Sequence, residues 1–481
     1  MKKSKKIVLL LLTVSLIIQC LAGCGKTKTT SSNDGVPTLK WYLIGDKQAD
    51  TAKVLAKANE IIEKKIGAKL DIEFVETGGF QQKMTMVMAS GEKYDLCFTG
   101  YTNVYTTAAE NGGLLALDDM LDSVPELKKS IPDTVWDSAR YNGKIYAVPN
   151  QQIMAMQYAY EFDKELTDKY NFDVSSVKEP EDLEPFLAAV KKGEPNRIPY
   201  RSNYGGDMWL QSKYEMLLPG YIGMDKETGE IVVTNGTKLH KRAAKKLNDW
   251  YNKGYIRSDV ASVGNDTADY NVRRYAVSNN TWKPGVEESS VQRLGWQTCY
   301  AKITEPYMPV GASTSTMIGI SKNSQNPEKA LKFIELINTD KELYNLLCFG
   351  IEGEHYKLVD GQAEYIENSG YAPKADWKFG NQFNAYTLVG QPKDLWEQTE
   401  KVNNEAKVSI LNGFSLDKSK ILQVLNEVET AAKQTQSTTT CKPEEFDKIY
   451  ENNLKALNDA GLQKLCDLVK EQVNDWKKSN K

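Results

Sequence analysis

Histidine is almost absent from this chain. Only His240 and His355 occur in 481 residues, far apart and in no ligand-like spacing. Histidine-based metal sites and most serine or cysteine triads therefore lack material, and no cofactor or metal is expected. Cysteine is hardly richer. Past Cys20 and Cys24 there remain Cys97, Cys299, Cys348, Cys441 and Cys466, an odd and scattered set that argues against a disulfide framework. Cys97, in Asp-Leu-Cys-Phe, reads as a buried strand thiol; a Cys441–Cys466 bridge stays open. Basic excess is missing too: 61 Lys and Arg face 64 Asp and Glu, which gives no electrostatic case for nucleic acid. No Gly-x-x-x-x-Gly-Lys-Ser/Thr occurs, so the chain does not itself harness nucleotide hydrolysis. Beyond the first residues no apolar stretch approaches eighteen, so nothing later in the chain is expected to cross a bilayer.

What is present begins at the start. Lys2, Lys3, Lys5 and Lys6 precede an apolar run from Ile7 to Ile18. That run is too short to span a bilayer core of about 30 Å and suits a signal peptide. Leu21-Ala22-Gly23-Cys24 follows and resembles the bacterial lipobox, which implies cleavage before Cys24 and a diacylated thiol. Residues 1–23 are thus expected to be a signal peptide and 24–36, with Thr-Lys-Thr-Thr-Ser-Ser-Asn-Asp-Gly, a lipidated flexible tether. Removing 23 residues from 481 leaves 458, enough for two domains or more. The four lysines depart with the signal, so the formal charge moves from −3 to −7. The expected location is the extracellular face of the bacterial cytoplasmic membrane.

The next elements alternate. Thr38 to Ile44 reads as a strand, and Val54, Ala58, Ile61 and Ile62 set a helix over 51–66 that Gly67 stops. Leu70 to Val75 is a second strand, Phe80 to Ala89 a helix, and Tyr94 to Thr99 a third strand. That order implies an α/β fold with a largely parallel sheet. Ligands of such sheets sit beyond the carboxyl ends of the strands, which brings Gly45-Asp46 and the stretch Thr99 to Asn103 to a site edge. Further on, Met154 to Tyr160 reads as a strand. Leu239 to Tyr251 reads as a helix with Ala243, Leu247 and Trp250 inward and His240 solvated. Asn326 and Pro327 open a helix as N-cap and N1. Near the end, helical stretches are expected at about 393–411, 418–433, 443–460 and 462–476.

At residues 142–149, Asn-Gly-Lys-Ile-Tyr-Ala-Val-Pro resembles the first crossover of family 1 extracellular solute-binding proteins, the receptors of sugar ABC importers. Three further stretches fit the same family. Tyr275-Ala276-Val277 and the loop to Gly285 resemble its short strand followed by a ligand-facing Trp. The run from Met317 through Ser-Lys-Asn-Ser-Gln-Asn-Pro-Glu-Lys-Ala resembles its return to the first lobe. Gly350 to Tyr356 and Trp377 to Tyr386 resemble the C-terminal domain of one lipoprotein subset. The resemblance implies a two-lobed fold of type II with hinge crossovers and a helical C-terminal region. Lobe I would comprise 37–149 and 306–345; lobe II would comprise 150–305 and 346–481.

A sugar presents C–H faces and hydroxyls, so its site needs aromatic planes beside paired donors and acceptors. The chain offers twenty-five Tyr, nine Trp and twelve Phe. Loops combining both kinds supply Asp46, Tyr101 and Asn103 from lobe I, and Tyr204, Asp207, Trp209 and Trp282 from lobe II. The last region adds Trp377, Asn381 and Phe383. Residues 201–209 read equally well as a tight turn over a small hydrophobic cluster. Trp282 is the first aromatic expected at the ligand. The function so implied is non-enzymatic: a lipid-anchored, monomeric receptor passing a carbohydrate to ABC-transporter permease subunits. The alternatives are a surface glycoside hydrolase, whose carboxylates stand about 5–5.5 or 6.5–9.5 Å apart and for which Glu305 or Glu352 would serve, and a receptor for a peptide.

Overall fold

The computed structural model describes residues 35–100, 104–202 and 208–479, and Thr38–Lys481 form one unit. The strand Thr38–Ile44 pairs in parallel with Lys69–Val75 on one side and with Leu96–Gly100 on the other. The helices Thr51–Ile66 and Phe80–Ser90 make the crossovers. Gly67 and Gly91 end them in the left-handed region, at φ 61° and 68°, where a glycine has no Cβ to clash. Two strands complete this five-stranded sheet: Thr316–Ile320, antiparallel beside Leu96–Gly100, and Ala147–Pro149 outermost, antiparallel to Thr316–Ile320 and so parallel to the first three. Because Thr316 faces Gly100 and Pro149 faces Met317, the chain leaves and re-enters the sheet at the carboxyl edge of its parallel strands.

Beyond that edge a second, four-stranded sheet runs in the order Thr298–Lys302, Gln157–Asp163, Tyr275–Trp282, Ile198–Arg201. Its first strand starts at Gln157 rather than Met154. The N–H groups of Met154 and Ala155 are taken by Asn403 Oδ1 at 2.8 and 3.0 Å, which holds this stretch in the crossover. The two crossovers are themselves joined where Met156 and Tyr307 exchange backbone hydrogen bonds of 2.7 and 2.9 Å.

Each sheet carries its own core. Trp41, Phe98, Phe333 and Tyr344 belong to the first and Tyr160, Phe186, Tyr200 and Trp250 to the second. Residues 346–406, which the sequence reading groups with lobe II, contribute Leu347, Phe349, Tyr356, Phe379 and Ala385 to the first core. A third core lies between the small sheet Tyr214–Leu218, Ile222–Asp225, Ile231–Val233 and the helices Leu422–Gln434 and Leu462–Ser479.

Several local expectations change in detail. The helix expected over 393–411 is Leu395–Glu405, because Lys407 and Val408 pair in parallel with Tyr307 and Met308. Asn326 holds the N-cap position of Pro327–Thr339 but makes no side-chain cap bond. His240 is not simply solvated: its Nδ1 lies 2.8 Å from the Tyr450 hydroxyl. Cys441 and Cys466 are free thiols in separate clusters.

Candidate functional site

At the carboxyl edge of the five-stranded sheet the chain turns at Gly45, whose φ is 123°. A Cβ there would stand 2.8 Å from Lys378 Nζ. Lys378 is only 3% exposed and donates to the Ile44 carbonyl at 3.2 Å. Burial pulls its ammonium down to about 8, against the attraction of Cys348 and Asp46. Next to it, Trp377 packs edge-to-face on Phe98, with centroids 6.0 Å apart at 71°, and remains half-buried. Its carbonyl accepts from Asn150 Nδ2 at 3.0 Å. Asp376 accepts from the Trp377 N–H at 3.1 Å and from Gln382 Nε2 at 3.0 Å. Burial raises its carboxyl above the usual range. The Gln382 N–H in turn donates to the Gln151 carbonyl at 2.8 Å. Residues 376–384 thus lie directly on the first crossover, at the strand ends where a sheet of this kind accepts ligands.

The opposing contribution comes from the loop after Trp282. Lys283 is open to solvent, yet its ammonium is lowered by desolvation, with Asp376 attracting and Arg293 repelling. Lys283 therefore lies within electrostatic reach of Asp376 and Arg293. Arg293 is loosely paired, 3.7 Å from the buried Glu161. Glu161 also accepts from Tyr270 at 2.6 Å, from Asn280 at 3.0 Å and from Tyr300.

The expected site residues fall into three groups. Asp46, Trp377, Asn381 and Phe383 belong to the edge just described. Asp46 is exposed beside the buried Lys378. Asn381 is occupied with the turn itself, its Oδ1 accepting from the Phe383 N–H at 3.0 Å, and the Phe383 ring leans on Trp396 with centroids 6.2 Å apart. Trp282 and Trp209 lie in the second group, already engaged. The Trp282 N–H donates to Glu287 at 3.1 Å, and Lys302 Nζ covers its ring 3.1 Å from the centroid. Trp209 is a core residue, 8% exposed, edge-on to Trp250 and donating to the Tyr160 hydroxyl. Tyr101, Asn103, Tyr204, Asp207 and Cys24 lie outside the described residues. Sequence reasoning passed over Asn150, Lys283, Arg293, Asp376 and Lys378. Three of these stand next to an aromatic that it did select, Trp282 or Trp377, and that adjacency was the available signal.

With this geometry in place, the wider relationships are clear. The chain belongs to the family of bacterial extracellular solute-binding proteins, whose model matches residues 45–343. A carbohydrate ABC transporter substrate-binding protein of Streptococcus pneumoniae (serotype 4) is 28% identical over 499 residues, covering 100% of both chains. Lipoprotein LipO of Bacillus subtilis is 21% identical over 447 residues, covering 83% of this chain and 85% of LipO. Among solved structures, the N-glycan transport solute-binding protein NgtS of Streptococcus pneumoniae is similar with a TM-score of 0.79 at 27% identity, covering 92% of this chain and 100% of NgtS. For NgtS in complex with Man5GlcNAc the TM-score is 0.64, and with Man1GlcNAc 0.66. The mixed α/β fold with its C-terminal helices is that of these solute-binding proteins.

Proposed function

We propose that this chain is a lipid-anchored extracellular receptor that takes a sugar or oligosaccharide into the cleft between the five-stranded and four-stranded sheets and delivers it to the permease of an ABC importer. The observation that carries this reading is the full-length likeness to NgtS, at 27% identity with 92% of this chain covered. The end-to-end match to a carbohydrate ABC transporter substrate-binding protein supports it. Trp377 supplies a half-buried ring at the strand ends, and Asp376, Gln382 and Lys283 supply polar groups around it. The fall in TM-score from 0.79 to 0.64 and 0.66 for NgtS holding glycans supports an open form here and a lobe arrangement that changes with ligand. Moving such an equilibrium from 1:99 to 99:1 takes about 5.5 kcal/mol of differential binding. A few stacked rings at about 0.5–1.5 kcal/mol each beyond burial, with several hydrogen bonds, suffice. The anchor is Cys24, in keeping with the relative named a lipoprotein. Calorimetry across mono- and oligosaccharides tests the reading: saturable binding with the sugar recovered intact supports it, and cleaved product or a uniform lack of binding rejects it.

A further inference from the structure

A second cavity, of about 330 Å³, opens where the small sheet, the second crossover and residues 414–416 meet. It shares no lining residue with the edge around Trp377 and Lys283. Gln157 pairs with Trp282 and Tyr158 with Thr281 in the four-stranded sheet, so Tyr158, which lines this cavity, points from the face opposite Trp282.

The chemistry of the cavity is lopsided. Lys226 Nζ donates to the Gln211 carbonyl at 2.6 Å and lies 4.4 Å from the Tyr307 ring centroid and 5.8 Å from that of Tyr158. Its other two N–H donors have no hydrogen-bond partner among the described residues. The nearby carboxylate, Glu215, is already engaged: it accepts from Tyr307 at 2.7 Å, from Ser409 at 2.6 Å and from the Val310 N–H. It therefore has little capacity left for Lys226, and among the described residues no carboxylate forms an ion pair with the ammonium. Gln211 Oε1 is a buried acceptor with no partner among the described residues. A half-buried cation and a buried acceptor left uncompleted each cost free energy. The volume is at the small end of ligand pockets, about 300–1,000 Å³, and holds a single ring with its substituents.

We propose that this cavity is a second ligand site, taking a hydroxylated ring compound that bears one carboxylate. The ring lies against Tyr307 and Tyr158, the carboxylate meets Lys226 Nζ, and a ring hydroxyl donates to Gln211 Oε1. An aromatic acid and a sugar acid share this chemistry. The site is independent of the cleft and of what the cleft binds.

The test is calorimetry on the full protein at about pH 6.5 with 4-hydroxybenzoate and D-glucuronate, each beside its neutral counterpart, 4-hydroxybenzamide and D-glucose. At least one acid should bind with a dissociation constant of about 1 mM or tighter and at least tenfold more tightly than its counterpart; which acid does so identifies the source. Lys226→Met should cost that acid tenfold or more, Lys226→Arg should keep most of the affinity, and the cleft's own sugar should bind all three proteins alike. In the unmodified protein the acid's affinity should fall as the pH passes from about 6.5 to 8.5, a range in which the probe's phenol stays largely protonated, whatever the folding of the variants. The groups facing Lys226 are Glu215, Lys407, Tyr158 and Tyr307, and the two tyrosines are held above their ordinary range by burial. The proposal is overturned if neither acid binds at 10 mM, if the neutral compounds bind equally well, or if the acid's affinity ignores both Lys226→Met and pH.

Discussion

The Asn150 side-chain amide donates to the Trp377 carbonyl at 3.0 Å, joining residues 227 positions apart. Asn150 is 1% exposed, and its own Oδ1 has no hydrogen-bond partner among the described residues. The bond ties the first crossover to the segment carrying Trp377, a half-buried aromatic of the site edge. Asn150→Ala should lower stability by about 1–3 kcal/mol, the cost of leaving a buried carbonyl unpaired, and should weaken saccharide binding as Trp377 loses its tether. Urea unfolding and calorimetry read the two effects separately.

Trp377→Ala should weaken binding of the cognate saccharide tenfold or more, a change of about 1.4 kcal/mol, with the fold intact. Trp282→Ala should cost less, because Lys302 covers one face of that ring and Glu287 takes its N–H. Dissociation constants for the two variants check the order, and a larger loss at Trp282 would reverse it.

Much of the first sheet was legible in the sequence, since the apolar spacing of 51–66 and the stops at Gly67 and Gly91 are local signals. The strand beginning at Gln157 was misplaced by three residues because Asn403, nearly 250 positions away, satisfies the preceding backbone. The same holds for the helix that ends at Glu405, cut short by pairing with Tyr307 and Met308. At the site, aromatic content drew attention to Trp377, which packs on Phe98 near the strand ends, and equally to Trp209, which is core. Composition cannot tell a ring facing a cleft from one facing Trp250. The charged residues Asp376 and Lys378 acquire their character from their surroundings in the fold, which a linear pattern does not carry.

Lys378 provides a test in pH. Burial lowers its ammonium from 10.5 to about 8. Between those values the unfolded chain holds the proton and the folded chain releases it, so raising the pH favours folding. Below about 8 the folded state bears the full penalty, on the order of 3 kcal/mol. Lys378→Met should therefore be as stable as the parent or more stable at pH 7, and should lose the rise in stability from pH 8 to 10.5. Denaturant titrations at both pH values check it.

Gly100 ends the third parallel strand with φ 128°, and a Cβ there would lie 2.2 Å from the Ser315 carbonyl oxygen. Backbone cannot yield as a side chain does. Gly100→Ala should destabilise by more than about 1 kcal/mol, seen as a lower unfolding midpoint.

Cys24→Ser should release protein that still binds its ligand but supports uptake poorly. Fractionation and uptake assays separate retention from transport.

A receptor of this kind should take up a saccharide and leave it unchanged. The most direct measurement is isothermal titration of the protein with a panel of oligosaccharides, followed by mass analysis of the recovered sugar. The expected result is one-to-one saturable binding of at least one saccharide, weakened tenfold or more by Trp377→Ala, with the sugar recovered whole. Cleaved sugar, or the absence of binding across the panel, would contradict it.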